Sequence, residues 1–73
     1  MTTETILDVR GLSCPQPALI TRQSLQKESK GTIRIIVDGT TARENVCRAA
    51  ENLGWSVVID ERSTDEIHVI ANK

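Results

Sequence analysis

The stretch Gly11-Leu12-Ser13-Cys14-Pro15-Gln16-Pro17 concentrates the residues of this 73-residue chain that could do chemistry. Proline is favoured in the first turn of a helix, where its missing N–H would have no intrahelical partner anyway. Pro15 and Pro17 therefore predict a helix start, with Cys14 at or next to its N-cap. The positive end of the helix dipole and the free backbone N–H groups there favour an anion. For a thiol that anion is the thiolate, which is the nucleophilic form. Gly11 permits the turn ahead of it. Arg10 either adds positive charge or pairs with Asp8 at the same strand end, so Asp8 and Arg10 shape the approach to Cys14. A free cysteine can also be a small buried hydrophobe. Cysteine is a poor cap beside Ser, Thr, Asp or Asn, however, and its use at a proline-locked helix start points to reactivity.

Hydrolysis by such a thiolate needs a base, usually histidine. The single histidine, His68, falls in the last predicted strand. Alternation with Ile67 and Val69 turns it away from the helices and from Cys14, as a surface strand residue. Position 17 is proline, so there is no Cys-x-x-Cys pair for redox catalysis or copper delivery. Two cysteines and one histidine cannot fill a four-ligand zinc site, and no metal or cofactor is expected. Attack on a sulfane sulfur is different. It requires a nucleophilic sulfur and a good sulfur leaving group, with no base on the attacking protein. Cys47 lies mid-helix, roughly 115° from the centre of its helix's apolar stripe, so it is expected to be a half-exposed, passive thiol. A redox sensor pairing Cys14 with Cys47 is the alternative role for it.

The elements that must position Cys14 follow from periodicity. Thr5–Val9 reads as a strand, and Pro15 to about Lys30 as a helix stopped by Gly31, with a thin apolar face of Ala18, Leu25 and Leu19. Thr32–Asp38 alternates as a strand with Ile33, Ile35 and Val37 on one face. Ala42, Val46, Ala49, Ala50 and Leu53 make an amphipathic helix, capped by Thr40 or Thr41 and stopped by Gly54. Trp55–Asp60 and Glu66–Ala71 read as strands joined by a turn at Arg62-Ser63-Thr64-Asp65. The order βαβαββ predicts a two-layer α/β sandwich, a four-stranded mixed sheet with both helices on one face, as a single domain over 1–73. The opposite face would carry Arg34, Ile36, Val58, His68 and Ile70, fitting either a partner surface or ordinary exposed aliphatics.

Composition narrows the partners. A net charge of −1 and a single aromatic residue, Trp55, argue against direct nucleic-acid binding. No run approaches the 18 apolar residues of a membrane span, and Met1-Thr2-Thr3-Glu4 lacks the basic start of a signal peptide. Sparse cysteine suits a reducing, cytoplasmic setting. Arg22, Arg43 and Arg48 are candidates for a docking surface, but spacing does not bring them together. Trp55 is expected in the core.

The run Leu7-Asp8-Val9-Arg10-Gly11-Leu12-Ser13-Cys14-Pro15-Gln16-Pro17 resembles the L-D-x-x-G-L-x-C-P-x-P signature of the TusA/SirA-like sulfur-carrier family. The similarity runs from about residue 5 to 73 with the same element order. It implies a persulfide held on the motif cysteine, here Cys14. Sulfur would arrive from a cysteine desulfurase or rhodanese-like donor and pass to an acceptor protein, toward tRNA thiolation, molybdenum-cofactor work or sulfur oxidation. In tRNA-thiolating members the second helix opens with Asp-Ile-Pro, where this chain has Asn45-Val46-Cys47. The run Ala42-Arg43-Glu44-Asn45-Val46 resembles instead the YedF-type branch, linked to selenium metabolism. A non-catalytic regulatory or interaction module on the same fold, with Cys14 inert, is the rival reading.

Overall fold

β-Branched residues alternate along the third predicted element, and the computed structural model, which describes residues 5–12, 16–28 and 31–73, turns that alternation into burial. The elements are β1 (Thr5–Asp8), α1 (Gln16–Lys27), β2 (Thr32–Val37), α2 (Thr40–Asn52), β3 (Ser56–Ser63) and β4 (Glu66–Asn72). The sheet order is β1-β2-β4-β3. β1 runs parallel to β2, whereas β4 is antiparallel to both β2 and β3. A parallel pair cannot be closed by a tight turn and needs a crossover, which α1 supplies. β3 and β4 are joined directly through Thr64-Asp65, and β4 fills the central place beside β2.

One face of the sheet is the core. Ile33, Ile35 and Val37 of β2 pack beside Ile67, Val69 and Ala71 of β4, under Leu25 of α1 and Val46 and Ala50 of α2. Trp55 is buried with them, as its sequence position suggested. α2 ends in a Schellman motif. The Trp55 N–H donates to the Ala50 carbonyl and the Gly54 N–H to that of Glu51, with Gly54 at φ +85°. This stop sets Trp55 under the helix as β3 begins.

Four expectations change in detail. The buried face of α1 is Pro17, Thr21 and Leu25, one helical stripe at i, i+4, i+8, while Leu19 is 49% exposed. Thr21 can join the core because its hydroxyl donates to the Pro17 carbonyl at 2.8 Å, so no polar group is left unpaired. The N-cap of α2 is Gly39 in extended conformation without a side-chain cap, and both Thr40 and Thr41 are exposed within the helix. β3 extends to Ser63, past a bulge between Glu61 and Ser63, so the turn shrinks to Thr64-Asp65. Finally, His68 does point away from the helices, yet it is buried, at 8% exposure.

No helix among the described residues is long and apolar enough to cross a membrane.

Candidate functional site

Parallel pairing of β1 and β2 places their C-terminal ends side by side. Asp8 is in register with Ile36, and the Val9 N–H continues the ladder to the Ile36 carbonyl at 3.0 Å. The segment leading from β1 toward α1 and the Asp38-Gly39 turn leading into α2 therefore emerge together. Crevices at the carboxyl ends of parallel strands are the usual ligand sites of α/β sheets. Ser13, Cys14 and Pro15 lie outside the described residues, so the site is built from what flanks them.

Gly11 is tied down. Its N–H donates to Asp38 Oδ2 at 2.8 Å, joining the two adjacent turns across 27 residues of sequence. Its φ of +81° lies in the left-handed region that glycine enters at little cost. The turn at Gly11 is legible in the sequence, where Asp38 figures only as the end of a strand. An Asp ending the strand next to β1 was the available signal.

Arg10 and Asp8 resolve into a pair. The guanidinium grips the carboxylate through both arms, Nε to Oδ1 at 2.9 Å and Nη2 to Oδ2 at 2.8 Å, and the Arg10 N–H adds a bond to Oδ1 at 3.2 Å. Hydrogen bonding from the Arg10 side chain, more than its charge alone, holds the Asp8 carboxyl down to about 2. The same contact raises the Arg10 pKa. Most of the positive charge of Arg10 is thus satisfied by Asp8.

The pair continues onto the open face of the sheet. Arg10 Nη1 lies 3.9 Å from Glu66 Oε1, and the other oxygen of Glu66 meets His68 Nε2 at 2.7 Å. His68 Nδ1 in turn faces Arg34 Nη1 at 2.9 Å. A guanidinium cannot accept a hydrogen bond, so Nδ1 must be the acceptor and Nε2 carries the proton donated to Glu66. Hydrogen bonding from His68 holds the Glu66 carboxyl below its ordinary range. This chain was missed in the sequence because strand alternation reports which face a residue takes, not which diagonal neighbour it meets.

Of the remaining predicted residues, Pro17 is buried as the second residue of α1, and α1 has no acidic residue in its first turn. Cys47 is half-buried on α2 and packs against the core. Burial, assisted by nearby Glu51, pushes its thiol pKa up. Among the described residues no group of three His, Cys, Asp or Glu side chains is placed to hold a metal ion.

A two-layer βαβαββ sandwich whose Cys-Pro motif follows the first of two parallel strands is the architecture of the SirA-like proteins. The crystal structure of a SirA-like protein from Desulfitobacterium hafniense superposes with a TM-score of 0.84, at 25% identity, covering 96% of each chain. Residues 5–73 match the family described as sulfurtransferase TusA, and the chain belongs to that family. It is also 35% identical over 68 residues to the "Putative sulfur carrier protein" of Methanocaldococcus jannaschii, covering 92% of this chain and 91% of that one.

Proposed function

We propose that this protein carries sulfur as a persulfide on Cys14. In the loading step the Cys14 thiolate attacks the terminal sulfur of a donor persulfide. The donor S–S bond breaks, the donor leaves as a thiolate, and Cys14 holds the sulfane sulfur. In unloading, a nucleophile of the acceptor attacks that terminal sulfur and the Cys14 thiolate is released. No oxidant, reductant or metal enters either step. The observation that carries the reading is the family match over residues 5–73, which takes in Cys14 within the Gly11–Pro17 motif. The first turn of α1, two residues beyond Cys14, has no carboxylate to offset the helix dipole, which favours a nearby thiolate. Cys47 suits the attacking role poorly, since its raised pKa leaves it protonated.

The donor is a cysteine desulfurase or rhodanese-like protein, the acceptor a second protein, and selenium is the other cargo such a site would accept. We place the exchange in the cytoplasm, where a reducing medium keeps the thiol available. The test is intact mass after incubation with a cysteine desulfurase and free cysteine. A gain of one sulfur, removed by reductant, lost in Cys14→Ser and retained in Cys47→Ser, is expected. Absence of the adduct with protein and small-molecule donors alike would refute the carrier reading.

A further inference from the structure

A groove of about 360 Å³ runs between α1 and α2 on the outer side of the helical layer. α2 contributes Asn45, Arg48, Ala49 and Asn52, which recur at i, i+3, i+4 and i+7 and so share one face. α1 contributes Ala18, Leu19 and Arg22 from its first two turns. The apolar part is formed by Ala18, Ala49 and the half-exposed Leu19. Among the described residues no carboxylate lines it.

The charges single this groove out. Arg10, Arg34, Arg43 and Arg62 each have a partner among the described residues: Asp8, His68, Glu61 and Asp60 respectively. Arg22 and Arg48 make no ion pair to any described residue, and both line this one groove. A chain with net charge −1 thus places two guanidiniums, one from each helix and neither in an ion pair with a described residue, in the same groove as an apolar strip. Arginine forks match carboxylates bidentately, and the apolar strip takes an aliphatic side chain. RNA is the poorer fit, because two cations and no aromatic platform give little phosphate neutralisation or base stacking.

We infer that the α1–α2 groove docks an acidic, amphipathic segment of the protein that exchanges sulfur with Cys14. Its α1 wall begins at Ala18, four residues after Cys14, so an occupant would be held beside the start of the same helix. The carrier reading supplies only the partner's identity; the groove's preference for an acidic segment stands apart from it.

The test is an NMR titration of the isotope-labelled full chain with a helical peptide bearing Leu on one face and Glu on its flanks. A Glu→Lys version of that peptide, inorganic phosphate and a mixed-sequence single-stranded RNA serve as comparisons. The acidic peptide should give saturable amide shifts at Ala18, Leu19, Arg22, Arg48 and Ala49. Affinity should weaken at least tenfold in the double variant R22E/R48E and survive in R22K/R48K. Both arginines are exposed, so the variants are expected to fold, which the unperturbed core amides would verify. The inference is overturned by no shifts at these amides, by equal binding of the Lys peptide, or by tighter binding of phosphate or RNA at the same residues. Loading then separates the two ideas. If R22E/R48E takes sulfur from inorganic polysulfide normally but from the desulfurase at least tenfold more slowly, the groove acts in delivery. If it takes sulfur from the desulfurase at the wild-type rate, the groove does not serve that partner. If neither donor loads the wild type, the carrier reading fails while the peptide result stands.

Discussion

The two faces of the sheet keep water out in opposite ways. Beneath the helices, Ile35, Val37, Val69 and Ala71 are fully buried and make no side-chain hydrogen bonds, so the sheet side of that core is held by apolar burial and close packing. On the open face no second layer of described residues covers β2 and β4. There Arg34, His68 and Glu66 lie over one another and reach Arg10 and Asp8, so a run of charged and polar side chains takes the place of a helix. The comparison teaches where each kind of interaction is worth something. His68 is buried because long neighbours fold over it, while Ile6 and Val58 on the same face remain 60% and 56% exposed. The Asp8–Arg10 pair, in turn, sits at the strand end where the Cys14 motif begins.

The contrast can be broken most severely from the helical side. Ile35→Ala should cost about 2–5 kcal/mol in urea unfolding, because the site is closed between β1, β4 and the helices and can collapse only in part. On the open face, His68→Ala should cost about 1–2 kcal/mol by the same measurement, through loss of partners for Arg34 and Glu66. Glu66→Gln should cost less than His68→Ala, since a Gln carbonyl can still accept the Nε2 proton. A loss from His68→Ala as large as that from Ile35→Ala would erase the distinction between the faces.

Titration sharpens it further. Carbon-detected NMR should find Asp8 titrating near 2, and Arg10→Met should return it to about 3.8. Since the folded-state values of Asp8 and Glu66 are lowered, their contribution to stability is complete above the ordinary carboxylate range. It is lost as the pH falls through the folded-state values. Added salt should weaken this contribution, as both groups are exposed. The smallest effect belongs to the uncovered aliphatics: Val58→Thr and Ile6→Thr should each move stability by no more than about 0.5 kcal/mol. A larger loss would mean that something covers them in solution.

Local pattern and tertiary structure each decided a definite share. The element order, the helix stop at Gly54, the inward set of β2 and β4 and the mixed sheet were all legible, because period 2, period 3.6 and glycine punctuation are properties of neighbouring residues; α1 instead ends at Lys27, ahead of the stop expected at Gly31. The motif from Leu7 to Pro17 was legible for the same reason, and it picked out Cys14 as the candidate thiol. The rest depends on residues far apart in the chain. Asp38 holds Gly11 only because β1 and β2 end side by side. His68 is buried only because register sets it diagonally from Arg34. Thr21 rather than Leu19 faces the core because α1 is rotated to pack Pro17 and Leu25, and a hydroxyl bonded to its own helix tolerates burial. Arg22 and Arg48, 26 positions apart, share a groove because α1 and α2 lie against each other. Chain order determines what each segment can become; which side chains then meet is decided by register, rotation and crossover, which local spacing does not encode.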